Sequence, residues 1–225
     1  MSHETDSFID EVTEEVRRDR LFALYKRYGW IAALLVVLLV GGAAFIEYRK
    51  AQAVAEAQRL GDDLIAALAA DDAAARAAAL IGVEAETPGA GAVVQLAQAA
   101  ALADSGQTDA AVVALETIAA NGEVAEIYRQ IAAFKALTLQ ADSLPADDRR
   151  LRFEALARPG TPLRLLAEEQ LALIDVSEGE TEAALTRLQA ILQDAETGRD
   201  LQQRASQLIV ALGGTPQPPP GNQQG

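Results

Sequence analysis

Hydrophobic and polar positions divide this chain into two unlike regimes. From Gly29 to Ile46, eighteen consecutive residues carry no charge, with Arg27 before them and Glu47 after them. As a helix they extend about 27 Å, close to the roughly 30 Å apolar thickness of a bilayer. Tyr28, Trp30, Phe45 and Tyr48 stand at the two ends, where amphipathic rings prefer the headgroup layer. The run predicts a single membrane-spanning helix over 29–46.

Elsewhere apolar residues recur at three- and four-residue steps, the period of amphipathic helices. In the stretch 6–27, Phe8, Ile9, Val12 and Val16 form such a stripe, acids cluster early and bases late, and the pattern predicts an amphipathic helix within 1–28. After the run, 47–70 continues without proline as helix, with Gly61 its weak point, and Asp71-Asp72 opens a second segment that ends near Thr87-Pro88-Gly89. This predicts a helical connector over 47–90. Breaks then divide 91–212 into helices over 91–104, 108–120, 123–141, 147–157, 162–177, 181–195 and 199–212. No alternating run of β-branched residues interrupts them, so the fold class is all-α. The tail 213–225, containing Thr215-Pro216-Gln217-Pro218-Pro219-Pro220, has no apolar residue to anchor it and reads as disordered.

The helical region repeats itself. Gly106-Gln107-Thr108-Asp109-Ala110-Ala111 returns further along as Gly179-Glu180-Thr181-Glu182-Ala183-Ala184. Ala99 and Ala172 lie at matching positions before the two glycines, and Ala111 and Ala184 at matching positions after them. Small residues there allow the two helices of a hairpin to approach closely, while Leu115, Ile118, Leu188 and Ile191 fill the space between hairpins. Two tetratricopeptide repeats would separate such positions by about 68 residues, and small insertions account for the slightly wider spacing here. The middle pair is a degenerate copy without the glycine. By the same spacing the first helices present a concave face of Val93, Leu96, Ala100, Ala103, Leu166, Leu173 and Val176, a candidate surface for apolar peptide segments.

Charge orients the span. Arg17, Arg18, Arg20, Lys26 and Arg27 precede it, whereas Arg49 and Lys50 follow closely and Arg59 further out. The bias predicts a cytoplasmic N-terminus with the remainder across the membrane. The segment 1–28 is long and carries seven acids, unlike the short basic start of a cleaved signal peptide, so an uncleaved signal anchor is expected.

Composition narrows the chemistry. The chain contains no cysteine, and its one histidine is His3, so thiol nucleophiles, zinc–thiolate centres and histidine acid–base sites have nothing to build with. No catalytic, cofactor-binding or metal-binding residue is expected. After Ile46 there are 26 acids against 14 basic residues, a balance that repels phosphate backbones and predicts no nucleic-acid binding. The pairs Asp147-Asp148 and Glu168-Glu169 read as solvated faces.

In their order, the charged opening Phe8-Ile9-Asp10-Glu11-Val12-Thr13-Glu14-Glu15-Val16-Arg17-Arg18-Asp19-Arg20, the span entered through Tyr28-Gly29-Trp30, and the helix pairs at Gly106 and Gly179 resemble the YfgM family of bacterial inner-membrane proteins, in its alphaproteobacterial branch. The resemblance covers nearly all of the chain except the proline-rich tail. It implies an ancillary subunit of the SecYEG translocon, with a periplasmic tetratricopeptide-like domain working beside a PpiD-like chaperone on secreted clients. It brings no catalytic residues. It also allows the cytoplasmic helix a second role in stress signalling. The alternatives are an envelope scaffold for cell division or outer-membrane assembly, and a regulator acting through the N-terminal segment.

Overall fold

Local chemistry marks several of the helix boundaries. In the computed structural model, residues 3–217 are described, with side chains from Lys26 onward except those of Tyr28, Gly29, Ala32 and Ala33. Among these residues there are nine α-helices and no strand, which is the all-α class. They are α1 (His3–Leu68), α2 (Ala73–Ile81), α3 (Pro88–Asp104), α4 (Thr108–Ala120), α5 (Glu126–Leu139), α6 (Ala146–Leu156), α7 (Arg164–Ser177), α8 (Thr181–Gln193) and α9 (Arg199–Ala211).

Asp72 caps α2 by accepting from the Ala75 N–H at 2.7 Å. Thr87 does the same for α3 from Ala90 at 3.2 Å, with Pro88 in the first turn, where its missing N–H costs nothing. Thr87-Pro88 is therefore a helix start and not the end of the preceding segment. The second segment stops earlier, at Ile81, and α3 begins at Pro88, ahead of the expected 91.

The chain divides into two compact units, Met1–Arg59 and Leu60–Gly225. In the first, Leu34 to Val40, Phe45, Ile46 and Tyr48 are all exposed. Among the described residues no helix is long and apolar enough to cross a membrane. Within the predicted span 29–46 only the backbone is described at Gly29, Ala32 and Ala33, and Leu34–Ile46 alone extends only about 20 Å as helix. The side chains of Arg17, Arg18 and Arg20, the stripe Phe8, Ile9, Val12 and Val16, and residues 218–225 also lie outside the described set.

The second unit begins well before the expected boundary at 91. Ala67 at the end of α1 packs with Ala77 and Leu80 of α2 and Ala101 of α3. Three further cores follow along the chain. Ala99, Leu115, Ile118 and Ala132 join α3, α4 and α5; Leu137, Phe153, Leu171 and Ile174 join α5, α6 and α7; Ala172, Leu188, Ile191, Ala205 and Ile209 join α7, α8 and α9. Each core is shared between a hairpin and the next helix, so stability accumulates along a stack of neighbours. Phe134 meets Phe153 edge-on, centroids 5.6 Å apart, an arrangement worth about 1 kcal/mol beyond burial.

Candidate functional site

The corners that aim these helices are built alike. Gly106, Gly179 and Gly213 adopt φ of 80°, 80° and 81°, a conformation that side-chain-bearing residues rarely accept. After α3, the Gln107 N–H reaches Leu102 O at 2.9 Å and the Gly106 N–H reaches Ala103 O at 3.0 Å. After α7 the same bonds run from Glu180 to Asp175 O and from Gly179 to Val176 O; after α9 they run from Gly214 to Ile209 O and from Gly213 to Val210 O. All three are Schellman caps, which satisfy the orphan carbonyls of a helix end. The third departs from the sequence pattern, which places Gly213 in an unanchored tail.

Helices α3, α5, α7 and α9 end at Asp104, Leu139, Ser177 and Ala211, so equivalent helices recur at nearly even intervals. Those intervals lie close to the roughly 34-residue period of tetratricopeptide repeats. The small residues sit at the closest approaches: Ala99, Ala111, Ala172 and Ala184 are all buried, Ala111 and Ala184 completely.

The predicted binding face is distributed unevenly. Val93, Ala100 and Leu173 are exposed, and Ala103 and Val176 are half-buried. Ala100 and Ala103 line a cavity of about 300 Å³ with Phe134, Lys135, Thr138 and Leu139 of α5. Leu96 instead packs against the α3–α5 core and Leu166 against the α7–α9 core, which gives these two residues a structural part. A cavity of about 630 Å³ opens beside α7 and α8, with Leu165, Ala183 and Ile191 on its apolar side and Arg164, Glu168 and Arg187 among its charged lining.

Burial corrects the reading of Glu168-Glu169 as a solvated face. Glu169 is buried and receives both Nε and Nη2 of Arg204 from α9, at 2.7 and 2.8 Å. Glu168 accepts from Arg187 Nη1 of α8 at 2.6 Å. Arg187 also donates to Asp175, whose other carboxylate oxygen accepts from Arg150 of α6, and Arg150 bonds Glu178 as well. Arg164 binds both Asp194 and Glu196 at 2.8 Å. Asp147 and Asp148 are exposed, as expected.

Charge balance sets the titration of these groups. Hydrogen bonds to Asp175 and then Glu178 raise the Arg150 guanidinium above its ordinary value. For Arg187, burial pulls downward, but the bonds to Glu168 and Asp175 outweigh it and the net direction is up. Glu169 raises Arg204, and Glu196 with Asp194 raises Arg164. The Glu196 backbone N–H, and then Arg164, hold the Asp194 carboxyl below its ordinary value. Arg164 and Arg187 thus face the larger cavity with their charges already matched by acids, which suits helix-to-helix clamping better than capture of an anion. Among the described residues no group of three or more His, Asp or Glu could hold a metal ion.

Comparison with known proteins finds no matching family model, no matching curated protein and no matching solved structure.

Proposed function

We propose that the chain is a bitopic inner-membrane protein whose tetratricopeptide-like domain stands in the periplasm and binds other proteins. The observation that carries this reading is the exposed apolar row from Leu34 to Val40 on α1, continuous in sequence with the uncharged run 29–46. Such a row has no protein partner among the described residues of its own unit, and hydrocarbon is the solvent that removes its cost. The stack of evenly spaced hairpins supports the second half, because arrays of this kind display extended faces suited to polypeptides. Resemblance to the YfgM family favours the SecYEG translocon, a PpiD-like chaperone and secreted clients as partners. With no cysteine and a single histidine, the chain is poorly equipped for nucleophilic or acid–base chemistry, so a binding role is preferred over an enzymatic one.

The test is in vivo photo-crosslinking from Val93 and Leu173, two exposed members of the predicted face. Capture of translocon subunits, a PpiD-like chaperone or nascent secreted chains is expected. Recovery of division or peptidoglycan proteins alone would replace this reading with that of an envelope scaffold.

A further inference from the structure

The internal repeat places Val112, Glu116 and Ala120 of α4 in register with Leu185, Gln189 and Gln193 of α8. On α4 the following hairpin reaches this stripe: Gln140 donates to Glu116 at 3.4 Å, and Arg152 of α6 lies 3.9 Å from the same carboxylate. Among the described residues no helix follows α9 to do the same for α8. The chain turns back instead. Gln189 Nε2 and Gln193 Nε2 both donate to the Gln217 carbonyl, at 2.7 and 2.8 Å, and the Gln217 N–H donates to Gln189 Oε1 at 3.1 Å.

The turn is built to pass close to α8. A Cβ on Gly214 would lie 2.7 Å from Leu185 Cδ2 and 2.9 Å from Ile209 Cγ2, so any side chain there would force these two residues to shift. Beside it opens a groove of about 500 Å³, lined by Leu185, Ala190, Ile209 and Thr215. One glutamine amide satisfies both backbone groups of a single residue, as a neighbouring strand would, and neither bond reads that residue's side chain. A residue inside a helix has its N–H and C=O already engaged and could not be held this way. Pro216 and Pro218 flank the bound residue; they lack N–H groups and bias the segment toward extended backbone.

We propose that the Gln189 and Gln193 edge of α8, beside this groove, is a binding site for extended polypeptide backbone, and that residues 214–217 are its resident occupant, displaced by a client segment of the same conformation. The site lies on α8 and α9, apart from the face on α3 and α7, and it does not depend on the membrane anchor or the translocon. Its failure would leave the proposed function standing.

The test uses the full chain in detergent micelles. Because the sequence has no cysteine, Asn222→Cys gives a single attachment point for a fluorophore. Anisotropy should be higher in the parent than in a Gln189→Ala/Gln193→Ala variant. It should fall to the variant's value on adding about millimolar unlabelled peptide copied from residues 212–220, the concentration needed to compete with a tethered segment. Gln189→Glu keeps the side chain's shape without its N–H donor and should also lower the anisotropy, with the helical circular dichroism unchanged. Equal anisotropy in parent and variants, no response of the parent to the peptide, or equal displacement by an alanine-rich helical peptide would each overturn the proposal.

Discussion

Arg187 Nε lies 3.2 Å from Asp175 Oδ2, and Asp175 is only 1% exposed. Stepping by the helix ends, Asp175 occupies the position held by Leu102 in α3, Leu137 in α5 and Ile209 in α9. A carboxylate thus replaces an aliphatic side chain at one turn of the stack, and two arginines from the flanking helices α6 and α8 meet it there. Asp175→Ala leaves both arginines with a second acid, Glu178 or Glu168, so the expected loss is about 2–3 kcal/mol, below the full cost of an orphaned buried charge. Asp175→Leu, which restores the aliphatic pattern, should lose less than half as much. Urea unfolding followed by circular dichroism measures both, and equal losses would refute the repeat-based assignment.

The corner glycines differ from the glycine inside a helix. Gly106→Ala and Gly179→Ala force a side chain into the left-handed region and should each cost about 1–2 kcal/mol. Gly61 lies within α1 with open space around its missing Cβ, so Gly61→Ala should stabilise by up to about 1 kcal/mol. Thermal melts of the three variants should show opposite signs.

Close approach between paired helices rests on completely buried alanines. Ala184→Leu adds bulk where there is no exposed surface to escape to and should cost about 1–3 kcal/mol through overpacking, whereas the exposed Ala183→Leu should cost little. Denaturant midpoints compare the two neighbours directly.

Acid sensitivity follows from Asp194. Its folded value lies below the ordinary 3.8, so the unfolded chain binds the proton more readily. The resulting stabilisation is complete above about pH 5 and disappears as pH falls through the lower folded value. Asp194→Asn should therefore be less stable than the parent at pH 7, with the difference shrinking below about pH 5. A pH series of unfolding midpoints shows it, and a constant difference down to pH 2 would remove the role given to Arg164 and the Glu196 N–H.

Much of the helical order was legible because local signals coincide. The repeats of Gly106 and Gly179 mark corners that need positive φ, and Ala99, Ala111, Ala172 and Ala184 mark contacts where only a methyl group fits. The partners of Glu168 and Glu169 were not legible, since adjacent acids on one helix look alike until α8 and α9 bring Arg187 and Arg204 against them. A signal was available at Asp175, a charge on the stripe of Ala167, Leu171 and Ile174. Docking of Gln217 was missed for another reason: its hold is through backbone bonds to Gln189 and Gln193, which hydrophobic patterning does not register. The start of the second unit at Leu60 escaped because small residues such as Ala67 and Ala77 form its first core, and they leave only a faint stripe.

The proposed membrane arrangement has a direct test in single-cysteine accessibility, undisturbed by native thiols. Cysteine placed at Glu123, an exposed site in the helical stack, and at Ser7 before the apolar run are compared in intact spheroplasts with a membrane-impermeant maleimide. Labelling at position 123 in intact cells, with position 7 labelled only after lysis, is the predicted result. Labelling of position 123 only after lysis would contradict a periplasmic helical domain held by residues 29–46.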